Sequence, residues 1–176
     1  ALVEAAAERY GSVDVLVNNA GVQTETTAEE AVNEALYEVE QTLSDPFGGL
    51  ANPAGIWVEP IQGEGGIITP PSEFLVGLRE LADAHDIPLI CDEIQTGFGR
   101  TGEWFGCDVF DVEPDIMTMA KGLTGAYAPL GATVVNSEIA DFFEDNMFCH
   151  GHTYAGHPVA VAAGRAAVET HIEEDL

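Results

Sequence analysis

Apolar and polar positions follow two periods along this chain. Between Thr24 and Asp45 apolar side chains recur at Ala31, Ala35, Leu36, Val39 and Leu43 within an acidic stretch. Spacings of three and four predict an exposed amphipathic helix over 28–44, with Thr27 placed to cap it. Short apolar runs at 55–59 (GIWVE), 87–91 (IPLIC), 115–119 (DIMTM) and 130–135 read as strands, and 72–85, 137–144 and 157–172 read as helices. The helix at 72–85 is bracketed by Pro70, Pro71 and Ser72 at its start and by Pro88 beyond its end. Ahead of these, 1–10 is Ala-rich and helical in pattern, and 13–17 (VDVLV) is a strand closed by Asn18, Asn19 and Gly21. Strands alternating with helices predict an α/β fold, a mostly parallel sheet with flanking helices.

Charge changes which partners are plausible rather than which fold. Thirty-one Asp and Glu against five Lys and Arg give a formal charge of −26, yet 46% of the residues are hydrophobic, so a packed core is expected. With its few cations scattered, the chain repels phosphate backbones and anionic lipid, which excludes nucleic acid and membrane as partners. The acids are dispersed, as on proteins adapted to concentrated salt; an acidic helix at 28–44 serving as an interaction module for a basic partner is the competing reading. Cys91, Cys107 and Cys149 are odd in number and far apart, which argues against a disulfide framework and fits a reducing cytoplasm. His150, His152 and His157 lack the carboxylate or cysteine spacing of a metal site, so no metal is expected. The absence of a long apolar run, and a start at Ala1, lead to the expectation of a cytoplasmic, truncated chain of one domain.

Candidate chemistry gathers where the predicted strands end. In open α/β sheets the carboxyl ends of strands carry ligand groups, and here those ends present Glu59, the pair Asp92 and Glu93, and Lys121. Lys121 is the only lysine, it follows the apolar stretch IMTMA and it precedes Gly122, where neighbouring backbone can come close. Partial burial there would lower the amine's proton affinity and leave a nucleophile able to form a Schiff base; a solvated surface cation is the plainer reading. Asp92 ends an apolar strand and calls for a cationic group facing it, such as a protonated pyridine nitrogen. The glycine-rich run 97–102 (GFGRTG) lacks the G-x-G-x-x-G register and reads as turn geometry.

The stretch LICDEIQTGFGRTGEWFGCDVFDVEPDIMTMAKG, from Leu89 to Gly122, resembles the signature region of the class III aminotransferases. EPIQGEGG at 59–66 and GHTYAGHP at 151–158 are similar to the family's flanking segments. The resemblance implies a partial large domain of the fold type I architecture, with pyridoxal 5'-phosphate as cofactor. It implies that Asp92 holds the protonated ring nitrogen, that Gln95 bonds the phenolic oxygen, and that Lys121 carries the Schiff base and moves the substrate's α proton. Thr153 would donate to the cofactor phosphate of the neighbouring subunit, so a homodimer with shared active sites is implied. Glu64 would be the glutamate that, in part of the family, pairs with an arginine near the carboxyl end and swings aside for some substrates; no arginine follows Arg165. The implied reaction moves an amino group between an amine or ω-amino acid and a 2-oxo acid.

The first 22 residues resemble instead the N-N-A-G region of a short-chain dehydrogenase, carried by Asn18 to Gly21. The Gly-rich dinucleotide turn and the Tyr-x-x-x-Lys pair that such an enzyme needs are both missing from the sequence. The expected division is therefore 1–26 as a dehydrogenase-like helix and strand, and 27–176 as part of the aminotransferase large domain. A counterpart to the family's phosphate turn and ring-stacking aromatic is not found before Asp45, which makes a catalytically inactive fragment the alternative to an active transaminase.

Overall fold

The computed structural model describes residues 27–45 and 53–176. The helix expected at 1–10 and the strand expected at 13–17 lie outside the described residues. Within them, the elements predicted from periodicity form at the predicted places: helix α1 (Ala28–Ser44), strand β1 (Ile56–Val58), helix α2 (Ser72–Ala84), strand β2 (Leu89–Asp92), strand β3 (Ile116–Met119), strand β4 (Ala132–Val135), helix α3 (Ser137–Asp145) and helix α4 (Pro158–Glu174). The sheet order is β1-β2-β3-β4, with β1, β2 and β3 parallel and β4 antiparallel to β3.

Register sets the layers. Ile56 lies opposite Leu89, Val58 opposite Cys91, and Cys91 opposite Met117, so these side chains share one face of the sheet. Helix α2 covers that face with Phe74, Leu75, Leu78 and Ala82, all buried, and Cys107, Phe110 and Val112 complete the core. Helix α1 lies outside α2. Its Thr27 and Glu30 form a reciprocal capping box, its Val32 and Val39 are buried, and Leu36 seats over Gly77, where any side chain on α2 would collide with it.

A polar clamp fixes the end of the sheet where β2 and β3 begin. Asp115 Oδ2 accepts from Leu89 N at 2.8 Å and from Arg79 of α2 at 2.7 Å, and Asp115 Oδ1 accepts from Asn136 Nδ2 at 2.8 Å. Arg79 also reaches Asp83 at 2.6 Å. Helix, two parallel strands and the return strand are thereby joined through one carboxylate.

A second carboxylate organises the opposite end. Glu93 follows β2 directly and is fully buried. Its Oε2 accepts from Gly106 N and its Oε1 from Cys107 N, both at 2.7 Å, and the Thr96 hydroxyl donates to Oε2 as well. No lysine, arginine or histidine pairs with Glu93 among the described residues; the start of the 3₁₀ turn Cys107–Phe110 supplies the compensating N–H groups. The loop 94–106 is thus closed on itself and held against β2. Beside it, the thiol of Cys107 is pushed far above its usual range by its contact with Cys91, by burial and by the Glu93 charge.

Two measurements test this account of the scaffold. Leu78→Ala should lower the unfolding free energy in urea by about 2 to 5 kcal/mol, because a fully buried leucine between helix and sheet leaves a cavity. Glu93→Gln turns an acceptor into a donor facing backbone N–H groups and should cost about 2 to 3 kcal/mol in the same titration; a midpoint equal to wild type would show that the loop does not depend on the carboxylate.

Candidate active site

The parallel pairing of β1, β2 and β3 brings their carboxyl ends side by side, and the candidate residues follow from what each chain segment does on leaving the sheet. After β1, Glu59 turns back and its Oε2 accepts from Gly63 N at 2.9 Å. The segment then forms a tight hairpin, with Gln62 and Ile68 exchanging two backbone hydrogen bonds of 3.0 Å each. Glu64 stands in its turn, exposed and bonded to no described residue.

After β2, Asp92 is half-buried and its Oδ1 accepts from Ile94 N at 3.0 Å, while no described residue bonds its Oδ2. The expected cation facing Asp92 does not come from this chain's described residues; a local Asx-type contact stabilises one oxygen and leaves the other available. Beside Asp92 in the register stands Thr118 on β3, whose Oγ1 is buried without a partner. Gln95, three residues beyond Asp92, lies flat against Gly63.

After β3, Ala120 carries the chain out of the sheet and Lys121 opens the 3₁₀ turn Lys121–Thr124 with φ 40°. A positive φ is uncommon for a residue other than glycine and is characteristic of sites where surrounding structure holds the backbone against its preference. Gly122 then meets the preceding loop closely: a Cβ there would stand 2.8 Å from Phe98 Cβ and 3.4 Å from Gly97 O. Helix α4 packs on this turn, with Gly164 close to Leu123 O and Leu130. The amine of Lys121 lies 3.4 Å from Gln95 Oε1.

The structure therefore brings Asp92, Gln95 and Lys121 to the carboxyl ends of two neighbouring strands. It corrects two expectations. Lys121 is exposed rather than partly buried, because its backbone turns out of the strand and carries the side chain clear of the apolar IMTM segment. Glu59 and Glu93 do not face the site: each accepts backbone N–H groups of its own loop, so two of the four ionisable residues at the strand ends hold turns in place.

Thr153 lies in the exposed turn at 153–156 before α4, and no hydrogen bond links it to Asp92, Gln95 or Lys121. The 97–102 run is turn, with Phe98, Gly99 and Gly102 at positive φ and Phe98 N donating to Trp104 O at 2.6 Å. Three residues escaped sequence reasoning: Glu93 as a buried anchor, Thr118 as an orphaned hydroxyl, and Gly63 as the surface under Gln95. Only Gly63 carried a local signal, as part of a glycine-rich stretch.

Comparison with known proteins places this geometry. The family model "Aminotransferase class-III" matches residues 10–176, a span that takes in residues 10–22 of the segment expected to be dehydrogenase-like. Among solved structures, the chain is 41% identical to the taurine:2-oxoglutarate aminotransferase of Bifidobacterium kashiwanohense in complex with pyridoxal phosphate and glutamate, with a TM-score of 0.80 over 88% of this chain and 34% of that one. It is 40% identical to a thermostable (S)-enantioselective ω-transaminase from Thermomicrobium roseum, with a TM-score of 0.79 over 86% of this chain and 34% of that one. An amine transaminase from an uncultivated Pseudomonas species, solved in its pyridoxal-phosphate-bound form, is 40% identical with a TM-score of 0.79 over 85% of this chain and 34% of that one. The chain spans about a third of the length of these structures. Mixed α/β layering and the mostly parallel sheet agree with this match: the chain belongs to the class III aminotransferases, a family whose cofactor is pyridoxal 5'-phosphate.

Proposed function

We propose that this chain is part of a pyridoxal-phosphate-dependent transaminase that moves an amino group between an amine or ω-amino acid and a 2-oxo acid. The observation that carries the reading is the convergence of Asp92, Gln95 and Lys121 at neighbouring strand ends, with the lysine amine 3.4 Å from Gln95 Oε1.

The donor set suits the cofactor. Among the described residues Asp92 keeps one carboxylate oxygen unpartnered, as required to accept from a protonated ring nitrogen, and the Thr118 hydroxyl beside it, likewise without a described partner, is a second polar group available to a ligand. When bound, the cofactor supplies an electron sink for the carbanion formed at the substrate's α carbon. Lys121 Nζ would hold the cofactor and, when free of it, would carry the proton removed from the substrate's α carbon. Gln95 turns Oε1 toward that amine, and its Nε2 would be the group to donate to the cofactor's phenolic oxygen. Glu64, exposed and bonded to no described residue, is suited to swing as a substrate gate. The exposed Thr153 has no link to this chain's own strand-end cluster and suits donation to the cofactor phosphate in a second copy, which makes the working unit a homodimer with shared sites. The acidic surface we read as adaptation to concentrated salt.

Two experiments test these readings. Borohydride added to the purified chain with pyridoxal phosphate in high salt should fix the cofactor to one peptide, the one containing Lys121, and Lys121→Ala should abolish the labelling; label elsewhere, or none, rejects the role of this lysine. Dialysis from about 1 M salt to about 0.01 M lengthens the screening distance from about 3 Å to about 30 Å. The far-ultraviolet circular dichroism of a chain carrying −26 should collapse over that range, and an unchanged spectrum rejects the salt-adapted reading.

A further inference from the structure

The side chain of Gln95 has few ways to be held. Among the described residues its Oε1 makes only the 3.4 Å contact to Lys121, too long to fix an amide against rotation. What confines it is the backbone of Gly63 on the neighbouring loop. A Cβ at position 63 would stand 2.5 Å from Gln95 Cδ, 2.8 Å from Nε2 and closer still to Oε1, so the amide occupies the space that any other residue's side chain would fill. Gly63 is in turn pinned on both sides of its peptide: its N–H donates to Glu59 Oε2 at 2.9 Å, and its carbonyl accepts from Gly66 N and Ile67 N at 3.0 Å each.

We infer that Gly63, braced by Glu59, is a positioning residue that sets the orientation of Gln95 and through it the environment of the Lys121 amine. The role is steric. Gly63 is not among the glycines in the left-handed region, so its missing side chain is not required by the backbone. The atoms it would meet are the far end of a flexible side chain. Alanine at 63 is therefore compatible with the loop, and the strain is relieved by rotating Gln95 away. A requirement for glycine at this position then reflects the placement of an amide and not the geometry of a turn. The functional meaning rests on the reading of Gln95 as a cofactor contact, but the contact itself is a property of the chain alone.

Because Lys121 is the only lysine, reductive methylation with a 13C label gives a single lysine resonance that reports its surroundings without any cofactor present. Gln95→Ala should move this resonance, Gly63→Ala should move it in the same direction to the same place, and Gly63→Ala added to Gln95→Ala should move it no further. With pyridoxal phosphate bound, the visible absorption maximum should show the same pattern across the three variants. Gly63→Ala should keep the wild-type circular dichroism, since the side chain yields and the backbone does not. The inference is overturned by a Gly63→Ala resonance at the wild-type position, by additive shifts in the double variant, or by loss of the fold in Gly63→Ala. Failure of the wild-type chain to bind pyridoxal phosphate would reject the proposed function and leave the resonance test of the clamp intact.

Discussion

A carboxylate buried with no cation beside it among the described residues governs one end of the sheet. Glu93 is tolerated inside because Gly106 N, Cys107 N and the Thr96 hydroxyl all donate to it. Those donors lie up to 14 residues further along, so the charge can be satisfied only if the chain after β2 loops out and returns. The returning loop lays Phe98 and Gly97 against Gly122, next to Lys121, and orients the segment that carries Asp92 and Gln95. One buried charge therefore fixes the positions of residues that never touch it, and its neutral replacement by a hydrophobic side chain would leave two N–H groups unpaired.

The two ends of the sheet use carboxylates for different work. Where β2 and β3 begin, Asp115 has both carboxylate oxygens committed, to Leu89 N, to Arg79 and to Asn136, and it joins α2 to the sheet. Where they end, Asp92 has one oxygen capped and one free. Among the described residues, hydrogen-bonding capacity is left unused at both ends, at Arg79 Nε beside the clamp and at Thr118 Oγ1 beside Asp92, and only the second lies at the carboxyl ends of the strands. Such incomplete satisfaction costs folding energy, and it is the property that a ligand site needs.

Much of this arrangement was legible in the chain. The strands announced themselves as short apolar runs between helices of period 3.6, and the proline brackets of α2 and the Thr27 cap of α1 marked ends that the structure places within a residue or two. Asp92, Gln95 and Lys121 were found through a resemblance in spacing, and the fold brings them together. What could not be read was the direction in which each acid points. Asp92 and Glu93 are adjacent and chemically alike, yet one keeps an open oxygen and the other is buried, because the difference is decided by N–H groups at 106 and 107 whose position depends on the closed loop. The sequence left both a partly buried and a solvated Lys121 open for a related reason: an apolar stretch before it signals a buried strand but not the backbone turn that leaves the strand. Gly77 beneath Leu36 and Gly63 beneath Gln95 likewise owe their importance to contacts across 41 and 32 positions of sequence, which periodicity does not encode.

The left-handed backbone at Lys121 has a consequence for how this sequence can drift. Lysine pays there for a conformation that glycine adopts freely, so on folding grounds alone position 121 is better filled by glycine. A copy of the segment relieved of any need for the amine would gain stability by losing it, and random exchange would be pulled in that direction rather than opposed. Among the described residues seven non-glycine positions take a positive φ, and the chain's single lysine occupies one of them, a placement that backbone preference alone does not favour.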